Sequence, residues 1–261
     1  MTRFITAVLA AAASLLFVLG VPADAAEWGT LKGRFVYDGE APAPVALDVT
    51  KEKLCEGHDL VDESLLVGED GGLANVAVYV YLRSGKKISA IHPDYEKTAS
   101  DKAVLDNEHC RYEPHVLLLR TSQTLQIKNS DTFGHNTNFA GFKNKGFNKI
   151  IGAGNTQDAQ LTKRETTPMP VSCNIHPWMK GHVLIRDDPY MAVTAADGTF
   201  EIKNLPVGKL EFQFWHEAAG RLKGVKYDGG KASSKGRAKI EIKPGENDLG
   251  EIKVSASMFK K

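Results

Sequence analysis

Cys173-Asn-Ile-His176-Pro-Trp-Met179 places a thiol, an imidazole and a thioether within seven residues, at intervals of three. Val171-Ser172 leads into the run and His182-Val-Leu-Ile185 leads out, so the run reads as a loop joining two neighbouring strands. Pro177 stiffens the turn. The three side chains can then face one point from a tight loop, leaving one side open. Upstream, Asn129-Ser-Asp-Thr-Phe-Gly-His135-Asn136-Thr-Asn-Phe139 brings a second imidazole to a strand end.

Outward from these two stretches the strand signals dominate. Thr30 to Tyr37 alternates by two and stops at Asp38-Gly39. Asn75-Val-Ala-Val-Tyr-Val-Tyr-Leu82 is β-branched and aromatic, and His115 to Arg120 and Leu125 to Asn129 follow. Past Asp187-Asp188 come short alternating runs separated by Asp197-Gly198 and Asn204-Leu-Pro-Val-Gly208. That spacing argues a small β-sandwich. Helical periodicity is scarce; the best candidate, Glu96 to Asn107, is polar and short. The fold class is all-β.

Residues 1–25 read as a signal peptide: Arg3, an apolar stretch from Ile5 to Leu19, then Ala23-Asp24-Ala25 as a cleavage pattern. The expected destination is the periplasm or the exterior, with no transmembrane segment in the mature chain. Lys and Arg total 33 against 32 Asp and Glu, a balance that argues against general nucleic-acid binding. The stretch Arg221 to Lys243 is locally basic and reads as a solvated face, or as a docking patch for an acidic partner. Three cysteines leave one over after pairing. With Cys173 in the ligand-like run, the expected disulfide is Cys55 with Cys110.

Two His, one Cys and a weak Met are the donors of a one-electron copper site. Soft sulfur suits the reduced ion and imidazole suits both oxidation states. The candidate ligands are His135, Cys173, His176 and Met179. Zinc could occupy such donors but lacks the redox chemistry. A binuclear copper centre would need a second Cys in the loop, and Asn174 to Met179 has none.

The run Cys173-Asn-Ile-His176-Pro177-Trp178-Met179 resembles the ligand loop of the cupredoxins, in its short amicyanin-like form, and His135-Asn136 resembles that family's upstream motif. The likeness spans roughly Tyr112 to Arg186. It implies a Greek-key β-sandwich holding one type 1 copper ion, with His135, Cys173 and His176 as strong ligands and Met179 as the axial one. It implies Asn136 as the residue tying the two ligand loops, and one edge of the His176 ring near the surface as an exit for electrons. Phe133, Pro177 and Trp178 would form an apolar docking patch around that edge. The partner so implied is a redox protein such as a c-type cytochrome or a dehydrogenase. This chain is more than twice the size of a small cupredoxin, and Phe139 to Thr167 has poorly defined strands.

Val193 to Ile202 and Asn204 to Gly208 resemble the carboxypeptidase regulatory-like (transthyretin-like) β-sandwich modules, and Gly29 to Val36 resembles their opening strand. The implied organisation is a copper domain over 26–187 and a second sandwich over 188–261. Either the two are sequential, or residues 27–46 pair with the tail and the copper domain is an insertion.

The remaining histidines read more weakly. His109-Cys110-Arg-Tyr-Glu-Pro-His115 mimics a second metal site, but a disulfide at Cys110 would remove its thiolate. His182 reads as a strand residue with ordinary hydrogen bonding. His58 and His216 carry little signal. No catalytic Ser-His-Asp pattern, phosphate loop or metalloprotease helix is present, so no enzymatic activity is expected. The leading expectation is an exported carrier of single electrons. Its rivals are a copper storage or delivery protein and a structural or adhesion module with a vestigial site.

Overall fold

The computed structural model describes residues 27–50 and 52–260, so the signal-peptide reading of 1–25 lies outside the described residues. The described chain is all-β and builds two packed sandwiches.

The first sandwich lies between Lys102 and Arg186. One of its sheets has the order β5-β11-β10-β7-β8 and the other β4-β3-β6-β9. These strands are β3 (Lys102–Glu108), β4 (Arg111–Glu113), β5 (Val116–Arg120), β6 (Thr124–Asn129), β7 (His135–Phe139), β8 (Phe147–Ile151), β9 (Thr156–Ala159), β10 (Met169–Ser172) and β11 (Lys180–Arg186). Leu105, Tyr112, Leu119, Leu125, Ile127, Phe139, Val171, Val183 and Ile185 fill the space between the sheets. Each such side chain contributes on the order of 1.5–3 kcal/mol by leaving water.

The second sandwich takes strands from both ends of the chain. β1 (Trp28–Asp38) lies between β13 (Thr199–Pro206) and β19 (Gly245–Ser255), antiparallel to the former and parallel to the latter. Facing it are β12 (Met191–Val193), β2 (Ala77–Val80), β14 (Gly208–His216) and β15 (Gly220–Arg221), with β18 (Arg237–Ile242) also paired to β14. A small hairpin of β16 (Lys226–Tyr227) and β17 (Gly230–Lys231) completes it. Sheet membership therefore crosses the boundary read between 187 and 188: β1 and β2 hydrogen-bond with strands that follow it. The Asp197-Gly198 turn sits at the crossing. Gly198 has φ +82°, and a side chain there would meet the Phe35 carbonyl oxygen.

The unbroken apolar run of β2 has a structural reason. Val78 and Val80 enter the second core, while Ala77 and Tyr79 pack with Leu184 and Trp215 at the seam between sandwiches. A strand covered on both faces has no polar face to alternate with. Arg186 crosses the same seam, donating from Nη2 to the Val80 carbonyl at 2.7 Å.

The helical candidate Glu96 to Asn107 is not a helix. Pro93–Thr98 forms a 3-10 turn and Lys102–Glu108 forms β3, in parallel register with β6. Within β3 Val104 faces solvent and Leu105 is buried, and the polar Asp106 and Asn107 are buried as well. The poorly defined stretch Phe139 to Thr167 contains β8 and β9.

Candidate metal centre

His135 opens β7 and Cys173 follows β10 directly, and the antiparallel pairing of Val171 with Phe139 sets the two ligand segments side by side. The loop after Cys173 is closed by its own backbone. Met179 N–H donates to the His176 carbonyl at 2.9 Å, and Cys173 N–H donates to the Met179 carbonyl at 3.1 Å. The interval of three thus becomes a turn that returns the chain to β11.

The side chains converge. His135 Nδ1 lies 3.0 Å from His176 Nδ1, and Cys173 Sγ lies 3.7 Å from His176 Nδ1. The Cys173 sulfur accepts two backbone N–H groups, from Asn136 at 3.3 Å and His176 at 3.4 Å. Burial lowers the pKa of His135, against the opposing pull of Asp131, and burial and then His135 lower that of His176. Both rings are therefore held neutral, the state in which a nitrogen lone pair is free for a metal. Three soft and borderline donors in a dry pocket suit a single transition-metal ion. Met179 is buried in the same core, 1% exposed.

Asn136 joins the two segments: its Oδ1 accepts from Asn174 N–H at 3.0 Å. Its carbonyl also accepts from Tyr112 Oη at 2.7 Å.

Asp131 was missed in the sequence. Its Oδ2 is 2.7 Å from His135 Nε2, and its two oxygens also accept the backbone N–H groups of His109 and Cys110. A carboxylate on the far nitrogen fixes a ring's tautomer and its aim. The available signal was the spacing Asp131 to His135, four residues across a turn.

The surroundings of His176 differ from the expectation of a surface edge. His176 is 3% exposed. Its Nε2 lies 3.9 Å from Glu52, and its ring is flanked by Phe133 at 5.7 Å and Trp178 at 5.3 Å between centroids. Phe133 and Trp178 are half-buried against Leu47, Val49, Leu60 and the Cys55–Cys110 disulfide, whose Cα atoms are 5.8 Å apart. Only Pro177 of the expected docking patch is exposed. The segment before β2 covers this end of the sandwich, and the disulfide holds it there.

Of the other histidines, His109 lies beside His58, with the rings tilted and their centroids 5.0 Å apart. His115 instead meets His182 and Glu217. Burial opposes charge on His115, but hydrogen bonds with Glu217 and Glu63 prevail and raise its pKa to about 9. His216 is 1% exposed, and burial depresses its pKa to about 4.

No protein-family model and no curated protein matches the sequence. Among solved structures the chain is similar to an oxidised point variant of amicyanin, at 19% identity over 33% of this chain and 82% of that one, with a TM-score of 0.30. A purple cupredoxin from Nitrosopumilus maritimus aligns at 20% identity over 33% of this chain and 99% of its own, TM-score 0.28. A copper-containing nitrite reductase from Thermus scotoductus aligns at 18% identity over 41% of this chain and 25% of its own, TM-score 0.30.

Proposed function

We propose that this chain is an exported mononuclear type 1 copper protein that carries single electrons between redox partners. The observation carrying the reading is the buried convergence of His135 Nδ1, His176 Nδ1 and Cys173 Sγ, with two backbone N–H groups aimed at the sulfur. His135, Cys173 and His176 would hold the ion, with Met179 as the weak fourth donor. When bound, copper supplies a one-electron couple whose potential follows the axial donor and the hydrogen bonding at sulfur.

The chain's own residues do the rest. Asp131 keeps the proton on His135 Nε2, so Nδ1 stays open. The N–H groups of Asn136 and His176 fix the position of the Cys173 sulfur. The Asn136–Asn174 bond keeps the two ligand segments in register, which limits rearrangement when charge changes. Phe133, Trp178 and the disulfide-bound segment exclude water. With Met179 as the fourth donor, the protein would fill every position on the ion and leave none for a substrate, which supports a carrier over an enzyme. The tail fits a carboxypeptidase regulatory-like module with no chemistry of its own. The fitting partner is a c-type cytochrome or a dehydrogenase in the periplasm or outside the cell.

Adding Cu(II) to the purified protein and recording its visible spectrum tests the reading. An intense thiolate-to-copper band that disappears in Cys173→Ala is the expected result; absence of the band, or its survival in that variant, overturns it.

One observation favours a second reading, copper storage or delivery. His176 is 3% exposed beneath Glu52, so electrons have no bare ring edge to leave by. Stopped-flow mixing of the copper-loaded protein with a reduced c-type cytochrome separates the two. Rapid exchange supports the carrier. No exchange together with ready copper loss to a chelator supports storage.

A further inference from the structure

We infer that His115, His182 and Glu217 form a second metal site, for a divalent cation of the zinc class, at the seam between the two sandwiches. One donor atom from each lies within 4.8 Å of the others. The inference does not depend on copper at Cys173.

The residues reach this point by separate routes. His115 immediately precedes β5, and β5 runs parallel to β11 with Val116 opposite His182. His182 N–H donates to the His115 carbonyl at 2.8 Å, which locks the two residues side by side. Along β11, Val183 and Ile185 enter the first core, so His182 faces the other way, toward the seam. There its ring meets Trp215 edge-on at 4.9 Å. Glu217 follows β14 and comes from the second sandwich.

A purely structural account explains half of this. His115 Nε2 is 2.6 Å from Glu217 Oε2, which accounts for that nitrogen, while His115 Nδ1 lies 3.4 Å from Glu63 Oε2 without a hydrogen bond. It leaves His182 unexplained. His182 is 8% exposed, and its Nδ1 has no hydrogen-bond partner while pointing at Glu217 from 3.6 Å. An unpaired buried polar atom is destabilising because it has lost its water partners and gained none. A cation shared with Glu217 would give that nitrogen a partner.

The dimensions suit such an ion. Bonds of about 2.0–2.2 Å to nitrogen and oxygen hold tetrahedral donors roughly 3.4 Å apart. The His182–Glu217 separation of 3.6 Å already matches. The His115–Glu217 hydrogen bond opens by under an ångström as the ion replaces the shared proton, which leaves to solvent. Two imidazoles and a carboxylate without sulfur favour a borderline divalent ion over Cu(I). A cavity of about 60 Å³, lined by Glu63, His115, Lys180 and Glu217 among others, adjoins the cluster. It has room for a water as fourth ligand. Glu63, on the other nitrogen of His115, orients that ring. With Glu217 on one sandwich and both histidines on the other, the ion staples the two modules together.

The test uses the full chain carrying Cys173→Ala and His176→Ala, so that the first centre cannot contribute. Co²⁺ is titrated in as a visible reporter and Zn²⁺ by calorimetry. Expected are one ion per chain, ligand-field bands without sulfur charge transfer, and a loss of affinity of roughly 100-fold or more on adding Glu217→Gln or His182→Gln. Near-UV circular dichroism verifies that each variant is folded. Wild-type protein preloaded with copper provides the same stoichiometry if the double variant does not fold. No Co²⁺ uptake, or uptake that Glu217→Gln and His182→Gln leave unchanged, overturns the site. Failure of the copper band with retention of this Co²⁺ site would sink only the copper reading.

Discussion

The two histidine clusters are built in opposite ways. His135, Cys173 and His176 sit on two segments that β7 and β10 pair directly, and two of the three share one turn. His115 precedes β5, His182 lies within β11 and Glu217 follows β14, with a sequence separation of 102 between the first and the last. The first cluster contains sulfur and is covered by a disulfide-held segment; the second is all nitrogen and oxygen. A local turn fixes the aim of its side chains by its own backbone bonds. A seam depends on two modules docking correctly, so its geometry is a property of the whole fold.

The largest expected effect on this contrast is Cys173→Ala. It should abolish the thiolate-to-copper absorption outright and leave Co²⁺ uptake at the seam unaltered, both read by visible spectroscopy. Parallel loss at both places would erase the distinction between the clusters.

Next is removal of the disulfide by Cys55→Ala with Cys110→Ala. The bridge closes a loop spanning 55 positions, worth about 4 kcal/mol by the loop-entropy model. Chemical denaturation should register a loss of that order. The bridge packs against Phe133 and Trp178 beside the sulfur-containing cluster, so copper should dissociate faster, by a larger factor than any loss of Zn²⁺ affinity at the seam.

His216 gives a pH dependence on the seam side. Its pKa in the fold, about 4, lies below the free value of 6.5, so the unfolded chain binds the proton more tightly. Its contribution is fully present above pH 6.5 and is lost as pH falls toward 4, by up to about 3 kcal/mol. Melting curves of metal-free protein should fall across that window, and His216→Gln should flatten the fall. An unchanged slope would remove His216 from the account.

Asp131→Asn should have the smallest effect. Loss of the carboxylate behind His135 is expected to weaken copper binding about 10–100-fold without abolishing the absorption band. Competition with a chelator measures this, and equal weakening of Zn²⁺ at the seam would contradict the separation of the two sites.

Much of the first centre was legible because its chemistry is local. Cys173, His176 and Met179 are held by one short turn, and the strand signals on either side announce it. His135 needed only the assumption of a neighbouring strand. Asp131 was overlooked because an acidic residue in a polar turn has many ordinary uses. The burial of His176 could not be read, since the covering segment lies over 100 positions away and shows no strand pattern of its own. The β3 strand was hidden by polar residues whose partners, such as Lys128 for Asp106, come from β6.

By itself the sequence determined the all-β class, the disulfide and the close grouping of Cys173 with His176. These follow from side-chain periodicity, cysteine arithmetic and ligand spacing, all of which act over a few bonds. Tertiary structure alone decided that β1 and β2 join the tail strands, that Glu52 and its segment cover His176, and that His115, His182 and Glu217 meet. Those depend on which faces exclude water against each other. The free energy of that burial belongs to pairs of surfaces, and no single stretch of chain carries it.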